Sequence, residues 1–376
     1  MSQTKEHALK ADIDYYQARI SKAQALLQEA GIDWLLVGPS ADLVYLTSFD
    51  AHLSERLNLL IITAEGSASL VVPTLESPLV GLAGELASMH TWDDHENPVD
   101  LVKSIIGNAD GKKIAVGNQL WSAFLLRMQS ELPGGTWVES VPVLRSLRMQ
   151  KDALEVEHLS RAATRTDEAW EEFIVSGAIS GITESEAMGH LRALTEKRGV
   201  KGVWGICASG PNSASPHHGT GERVILPGDA VIFDWGGRYD GYFSDVTRTV
   251  HIGKPSEEFT NVYNIVREAN QATLDAVRPG VALESLDRAA RDVITKAGYE
   301  KAFLHRVGHG LGMEVHEEPY LVEGNSMPLE VGMVFSDEPG IYLEGKFGVR
   351  IEDSVLCTED GGKRLNEATR DLIIME

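Results

Sequence analysis

The stretch Val231–Val250, VIFDWGGRYDGYFSDVTRTV, determines how this part of the chain folds. It begins with an apolar run, ends with alternating polar and β-branched residues, and contains Asp240-Gly241 between them. An Asp-Gly pair between two such runs is typical of a tight β-hairpin turn. The hairpin would bring Asp234 and Asp245 close together, where two carboxylates repel each other unless a cation lies between them.

A second acidic hairpin is predicted over residues 338–352, EPGIYLEGKFGVRIE. Glu338 and Glu352 flank a turn-rich segment centred on Gly345. A histidine-rich segment, HRVGHGLGMEVHE, occupies residues 305–317 between the two hairpins. Two hairpins with two acids each, together with histidines, indicate a candidate site for two metal ions.

Each acid alone is more typical of a solvated turn residue, so the prediction depends on the whole pattern. Asp234 follows Val-Ile-Phe and Glu352 follows Val-Arg-Ile, and an acid at the end of such a buried strand is costly without a partner. His309 lies between glycines in GHGLG, where the backbone can approach closely, as in a ligand loop. We expect the adjacent His217 and His218 to have different roles.

Four other histidines are interpreted as structural: His52, His190, His251 and His305. The remaining donor set of four carboxylates and one imidazole favours Mn²⁺, Co²⁺, Fe²⁺ or Zn²⁺ in five- or six-fold coordination. It disfavours a structural zinc site, which would use thiolates. Two such ions can activate a water molecule and polarise a carbonyl group, whereas structural cation sites would not need the histidines.

The composition limits the class of protein. The chain has 376 residues and a formal net charge of -22, which argues against nucleic acid or an anionic membrane as a partner. It has no apolar run long enough for a membrane span, and its first residues lack the apolar region of a signal peptide. Two cysteines, Cys207 and Cys357, are typical of a reducing compartment. We predict a cytoplasmic protein.

The first part of the chain alternates short apolar strands with helices, which predicts an α/β domain. It contains no glycine-rich phosphate loop. The predicted boundary lies near residues 144–151 and gives domains 1–148 and 149–376. The predicted elements of the first domain are helices over 14–30 and 101–106 and strands over 34–37, 57–63, 68–72 and 113–116.

The second part repeats one order of elements, in which two helices precede strands that carry two acids. This order predicts an α+β domain of two similar halves with the metals between them. Thr183 and Glu186 have the capping-box spacing at the start of one helix, and Gly199 ends it. The other predicted elements are helices over 151–175, 256–277 and 283–297 and a strand over 203–208.

The chain resembles the pita-bread metallopeptidases: prolidase (Xaa-Pro dipeptidase), aminopeptidase P and, more distantly, methionine aminopeptidase and creatinase. The resemblance covers nearly the whole chain, including DLVYLTSF near residue 42 in the smaller N-terminal domain. The matching motifs in the second domain are DWG, DVTRT, GHG, EPGIY and VRIED. They imply a metal-ligand set of Asp234, Asp245, His309, Glu338 and Glu352.

The resemblance also implies further site residues. Glu338 would act as both ligand and general base, and His316, seven residues beyond His309, would stabilise the oxyanion. His217, after GPNSA, would hold the substrate near its proline. Arg350 would brace the ligands or bind the polar end of the substrate, and Tyr342, after EPG, would contact the substrate.

All five ligands are present, which argues against creatinase, and the large N-terminal domain argues against methionine aminopeptidase. The chain departs from the family at Ser336-Asp337, where a Thr and an aliphatic residue are usual, and Asp337, which adds charge beside Glu338, is a candidate partner of that ligand.

The resemblance implies an Xaa-Pro dipeptidase with two divalent ions per subunit. Mn²⁺ is preferred, with Co²⁺ or Zn²⁺ as alternatives, and a homodimer is expected. The alternatives are an aminopeptidase P that cleaves longer peptides and a catalytically silent binding protein on the same fold.

Overall fold

The computed structural model describes residues 11–376, and the chain divides into two compact units. The first unit ends at Arg148, and the second runs from Met149 to Glu376. Most of the N-terminal segment on which the signal-peptide prediction rests, residues 1–10, lies outside the described residues.

The first unit is an α/β domain, as predicted. Its helices are α1 (Ile13–Ala30), α2 (Ala41–Thr47), α3 (Ala83–Leu86), α4 (Pro98–Ile106), α5 (Ser122–Glu131) and α6 (Val141–Met149), with a 3₁₀ helix over Ser77–Leu79. Its strands are β1 (Trp34–Val37), β2 (Leu59–Thr63), β3 (Ala68–Pro73), β4 (Ser88–Trp92), β5 (Lys113–Val116) and β6 (Thr136–Glu139).

Within the described residues these strands form one mixed sheet in the order β4-β3-β2-β1-β5-β6. Strand β2 is antiparallel to both of its neighbours, and the remaining pairs are parallel. The core packs apolar side chains of α4 and α5, such as Val102 and Met128, against the central strands. The predicted strands correspond to β1, β2, β3 and β5, whereas the two edge strands, β4 and β6, were missed because they are short, largely solvent-accessible and lack an apolar run.

The second unit is an α+β domain. Its helices are α7 (Ala153–Val175), α8 (Glu184–Lys197), α9 (Glu257–Ala276) and α10 (Leu283–Lys296), with 3₁₀ helices over Gly210–Ala214 and Glu300–Ala302. Its strands are β7 (Lys201–Ser209), β8 (Ala230–Tyr239), β9 (Tyr242–Ile252), β10 (Gly308–Gly310), β11 (Glu317–Leu321), β12 (Val334–Asp337), β13 (Gly340–Leu343), β14 (Phe347–Arg350), β15 (Asp353–Thr358), β16 (Gly361–Arg364) and β17 (Ile373–Met375).

The predicted order of two helices followed by acid-bearing strands occurs twice in this unit. Within the described residues, one sheet has the order β17-β9-β8-β7, another has the order β11-β10-β12-β15-β16, and β13 pairs with β14. Helices α7 and α8 pack on the first sheet through Trp170 and Leu191, and α9 and α10 pack on the second through Val266 and Leu286. The two halves therefore have separate apolar cores, and their sheets meet where β9 and β15 approach each other.

The capping box predicted at Thr183 is confirmed. The Thr183 side chain accepts the backbone N–H of Glu186, and the Glu186 side chain accepts the backbone N–H of Thr183. Each bond satisfies a backbone donor that the first turn of the helix leaves free. The start of α8 is thereby fixed, and it carries Glu184 toward the loop described below. Among residues 11–376, no helix combines the length and apolarity needed to span a membrane.

Candidate metal centre

The first acidic hairpin forms as predicted from β8 and β9. Asp240 and Gly241 have φ values of 49° and 89°, the positive range that a tight hairpin turn requires. In the resulting register Asp234 lies opposite Thr247, and Asp245 lies opposite Gly236. The two aspartates are therefore diagonal neighbours on one face of the strand pair.

The second acidic hairpin is also present, with its turn around Gly345, whose φ is 72°. Strands β12 and β15 continue the same register, and Asp337 pairs with Asp353. Glu338 and Glu352 occupy the next opposite positions. A bridge between Thr247 and Glu352, with the Glu352 N–H 3.1 Å from the Thr247 carbonyl oxygen, brings the second hairpin against the first.

Glycines allow the strands to approach closely at the site. A Cβ atom at Gly308 would overlap the carbonyl oxygen of Ser336, and one at Gly236 would overlap that of Ser244. Only glycine can occupy these positions without moving a strand. This explains the glycine before His309, which the sequence marked as a place of close backbone approach.

The five predicted ligands lie together. His309 Nε2 is 3.3 Å from Glu338 Oε1 and 3.7 Å from Asp245 Oδ2. Three overlapping groups each offer ligand atoms within 4.8 Å of one another. These groups are Asp234, Asp245 and Glu352; His309, Glu338 and Glu352; and Asp245, His309 and His316.

The tautomer of His309 suits a metal ligand. Its Nδ1 lies 3.1 Å from the carbonyl oxygen of Gly310, which can only accept a hydrogen bond. Nδ1 therefore carries the proton, and the lone pair of Nε2 points to the carboxylates. Ser336 supports the arrangement, since its hydroxyl accepts the His309 backbone N–H and donates to Glu338 Oε1.

The carboxylates are buried close together, and their negative charges repel one another unless a cation lies between them. Burial, followed by the charge of Asp234, raises the pKa of Asp245 well above its ordinary value. Burial, followed by the charge of Asp245, does the same to the pKa of Glu352. Asp234 Oδ1 and Asp245 Oδ1 are buried without a hydrogen-bond partner in residues 11–376. A hard divalent cation would neutralise this charge and coordinate these oxygens, so the donor set fits a metal centre.

Arg350 is fully occupied by protein groups. Its Nη2 donates to Asp234 Oδ2 at 2.5 Å, its Nε to Thr247 Oγ1 at 3.2 Å, and its Nη1 to the Tyr342 hydroxyl at 2.9 Å. Thr247 in turn donates to Glu352 Oε2 at 2.6 Å. Arg350 is thus placed to brace ligands, which was one of its two predicted roles.

A cavity of about 650 Å³ lies over the carboxylates. Besides the five predicted ligands, its lining residues are Trp204, Ile206, Pro216, His217, His305, Arg306, Val315, His316 and Arg350. The cavity is large enough for a small ligand and has both polar groups and apolar side chains.

The two predicted catalytic histidines, His217 and His316, line this cavity. The neighbouring His218 instead contacts Glu184, with Nε2 3.0 Å from Oε2. Desolvation, followed by the charge of His309, lowers the pKa of His316 to about 4. His316 is therefore neutral at pH 7 and has one N–H to donate.

Tyr342, for which a substrate contact is predicted, lies beside the cavity rather than in its lining. It is buried, and its hydroxyl lies between Arg350 and His305 rather than among the cavity-lining groups. Asp337, the candidate partner of a ligand, is fully buried. Its carboxylate neighbours Thr273, Asp353 and Arg364, because adjacent strand residues point to opposite faces.

His305, interpreted from the sequence as structural, lines the cavity and is 2.8 Å from the Tyr342 hydroxyl. The role of Glu184 was missed. This buried carboxylate accepts hydrogen bonds from Ser209, Asn212, His218 and Gly221 and holds the loop that carries His217. The position of His305 in the histidine-rich segment is the one sequence signal for its place at the site. No local pattern indicates the role of Glu184.

Comparison with known proteins adds to this geometry. Residues 157–359 match the family described as metallopeptidase family M24, and residues 19–150 match the creatinase/prolidase N-terminal domain. The chain belongs to metallopeptidase family M24. The structure of this M24 peptidase accordingly has the pita-bread fold, with the creatinase-type domain before it.

Three relatives illustrate the similarity of this M24 peptidase to known proteins. A probable dipeptidase PepE of Mycobacterium tuberculosis is 38% identical over 97% of this chain and 98% of its own length. An Xaa-Pro dipeptidase of Lactobacillus helveticus is 34% identical over 95% and 98%. The crystal structure of a prolidase from Thermococcus sibiricus is 39% identical, covers 97% of this chain and 100% of its own, and has a TM-score of 0.90.

Proposed function

We propose that this M24 peptidase hydrolyses the peptide bond before proline and acts chiefly on Xaa-Pro dipeptides. The observation that carries the proposal is the group of four carboxylates and His309 at the floor of a cavity of about 650 Å³. The names of the relatives from L. helveticus and T. sibiricus support the choice of substrate. A dipeptidase is preferred to an aminopeptidase P because two of the compared relatives are named dipeptidases.

We propose Asp234, Asp245, His309, Glu338 and Glu352 as the ligands of two divalent ions. Mn²⁺ is the preferred ion because oxygen donors dominate the set, with Co²⁺ and Zn²⁺ as alternatives. Ions in this site would supply an activated water molecule and a Lewis acid for the substrate carbonyl. The remaining steps depend on side chains of the chain itself.

Glu338 is the proposed general base. Burial raises the pKa of its carboxyl group, but a protonated His309 in the metal-free protein, together with the charge of Arg350, outweighs burial and lowers it overall. Glu338 is therefore ionised at neutral pH. Ser336 and His309 both approach Oε1, which leaves Oε2 to accept the proton of the attacking water.

The two cavity histidines would act on the substrate. His316 would donate its single N–H to the oxygen that becomes negative as the carbonyl is attacked. His217 would hold the substrate on the side of its proline. A prolyl amide has no N–H, so the enzyme must position the substrate through other groups. Arg350 would brace Asp234, since its guanidinium is occupied by protein oxygens, and the substrate contact of Tyr342 stays a prediction.

Matched substrates test the proposal. Metal-depleted protein is reconstituted with Mn²⁺, Co²⁺ or Zn²⁺ and assayed on Xaa-Pro and Xaa-Pro-Yaa peptides, with EDTA as the control. Metal-dependent cleavage of the dipeptide alone is the expected result. Preferential cleavage of the tripeptide would instead identify an aminopeptidase P. No cleavage of either peptide under any metal would contradict the proposal and favour a binding protein on this fold.

We further propose that the enzyme is a cytoplasmic homodimer. The net charge of -22 argues against a membrane or nucleic-acid partner. The two free, buried cysteines, Cys207 and Cys357, are typical of a reducing compartment such as the cytoplasm. The homodimer rests on the family resemblance. Light scattering coupled to size exclusion would test it, and a mass near 41.0 kDa would contradict it.

A further inference from the structure

A chain of hydrogen bonds leads from His305 to the proposed ligand Asp234. His305 Nε2 is 2.8 Å from the Tyr342 hydroxyl, which accepts Arg350 Nη1 at 2.9 Å. Arg350 Nη2 then donates to Asp234 Oδ2 at 2.5 Å. His305, Tyr342 and Arg350 therefore form one continuous connection to the floor of the cavity.

The direction of each bond in this chain can be assigned. His305 Nδ1 is 2.8 Å from the carbonyl oxygen of Arg306, which can only accept, so Nδ1 carries the proton. In this tautomer Nε2 is an acceptor, and the Tyr342 hydroxyl donates to it. The guanidinium of Arg350 has only donors, so it donates to the Tyr342 oxygen. One consistent arrangement therefore satisfies the ring, the phenol and the guanidinium.

The segment that carries His305 is held from outside the site. Arg291 donates to the carbonyl oxygens of His305 at 2.9 Å and Phe303 at 3.3 Å. Asp287 pairs with Arg291 and accepts the backbone N–H of Val307 at 2.8 Å. Because both side chains project from α10, the backbone that carries the His305 ring is held by a packed helix.

Arg350 depends on this connection for its orientation. If the Tyr342 hydroxyl lost its place, Nη1 would keep only a 3.4 Å bond to the Pro216 carbonyl oxygen. The same guanidinium holds Asp234 Oδ2 and, through Thr247, reaches Glu352. Asp234 Oδ1 has no hydrogen-bond partner in the described part of the chain and is free for a metal ion.

We propose that His305 is a positioning residue for the metal centre, which acts through Tyr342 and Arg350 to orient the carboxylate of Asp234. The inference rests on the proposed function, since it takes Asp234 as a metal ligand. Partners of metal ligands commonly change metal affinity or activity by about 10–100-fold when they are removed.

The primary test measures Mn²⁺ affinity of metal-depleted protein by calorimetry. His305→Leu removes the acceptor for Tyr342, and we expect Mn²⁺ to bind about tenfold more weakly. His305→Gln places an amide oxygen near the position of Nε2, so it should recover much of the affinity. The matched control is Leu304→Ala, an exposed neighbour in the same segment, which should bind Mn²⁺ as the unmodified protein does.

A double-mutant cycle tests the route. Tyr342→Phe should weaken Mn²⁺ binding about as much as His305→Leu, and the double variant should be no weaker than either single variant, because both break the same connection. Circular dichroism and thermal unfolding of the metal-free proteins control for misfolding. Tyr342→Phe removes a single atom and keeps the ring, so it tests the route even if His305→Leu fails to fold.

Three outcomes would overturn the inference. Unchanged Mn²⁺ affinity with reduced turnover in His305→Leu would mean that His305 acts directly on the substrate. Additive losses in the cycle would mean that His305 and Tyr342 act separately, and equal losses in His305→Gln and His305→Leu would mean a packing role only. Protein that binds Mn²⁺ but cleaves neither peptide would contradict the proposed function, while the affinity comparison would still decide the role of His305.

Discussion

At the scale of single residues, Glu338 has the most demanding position in the site. It lies 3.3 Å from His309 Nε2 through the same oxygen that receives the Ser336 hydroxyl. A carboxylate so placed can be both a ligand and a base, because its two oxygens meet different neighbours.

We predict that Glu338→Gln lowers kcat by at least about 100-fold, the usual loss when a general base is removed. The amide cannot accept the proton of the attacking water, but its size leaves the packing unchanged. Steady-state kinetics on an Xaa-Pro dipeptide with saturating Mn²⁺ would measure the loss. An active Glu338→Gln enzyme would disprove the assignment of the base.

Ser336→Ala is a matched control for Glu338→Gln. It removes the hydroxyl that orients Glu338 but leaves the carboxylate, so its loss of kcat should be smaller. A loss equal to that of Glu338→Gln would show that orientation rather than proton transfer limits the reaction.

At the scale of secondary-structure elements, the start of α8 organises the loop that carries His217. Glu184, the first residue of α8, is fully buried, and its two oxygens accept donors from the segment 209–221. Burial raises the pKa of Glu184, but the hydrogen bonds of Ser209, Asn212 and His218 outweigh it and lower the pKa overall. The ionised form is therefore favoured by folding.

We predict that Glu184→Gln lowers the free energy of unfolding by about 1–3 kcal/mol at pH 7, because the amide nitrogen cannot accept the hydrogen bonds that one carboxylate oxygen accepts. Urea unfolding would measure the change. Glu186→Gln is the control, since an amide can still accept from the backbone of Thr183 in the capping box. Equal stability of the Glu184→Gln and unmodified proteins would contradict the prediction.

The same contact predicts a pH dependence. A carboxyl group with a lowered pKa in the folded state contributes stability above its unfolded pKa and loses it as the pH falls through the folded value. The stability difference between the unmodified protein and Glu184→Gln should therefore be full near neutral pH and shrink below about pH 4.5, near the ordinary pKa of Glu. Urea unfolding at several pH values would show it, and a constant difference would contradict the assignment.

Elements with a strong local pattern were predictable, and elements defined by distant contacts were not. The hairpin around Asp240-Gly241, the second hairpin and the capping box at Thr183 follow from turn and cap chemistry within a few residues. The five candidate ligands came together because both hairpins fix their registers. The connection of His305 to Tyr342 spans 37 positions and depends on the packing of α10, which no local pattern reports.

At the scale of the whole molecule, the candidate metal centre joins the two sheets of the second unit. Asp234 and Asp245 lie on strands β8 and β9 of the first sheet, whereas His309 lies on strand β10 of the second sheet. Buried carboxylates that repel one another destabilise the metal-free fold, and a bound cation reverses the sign of this interaction.

We predict that Mn²⁺ at about 100 times its dissociation constant stabilises the fold by about 2.7 kcal/mol, which raises the melting temperature by about 3–6 °C. Calorimetry with Mn²⁺ and with EDTA would measure the shift. Asp245→Asn should lose the shift, and its metal-free form should melt above the metal-free unmodified protein because one repelling charge is gone. An equal melting temperature with Mn²⁺ and with EDTA would contradict the proposed metal centre.

The close strand approach at Gly236 and Gly308 also has an evolutionary consequence. A mutation at either glycine would have to move a strand that carries ligands, so selection can hardly use these positions to change the enzyme. Ile206 and Val315 line the cavity with apolar side chains and lie outside the proposed ligand set. Descendants of this chain that acquire new peptide preferences should therefore differ first at such wall positions, while the glycine-supported centre is inherited unchanged.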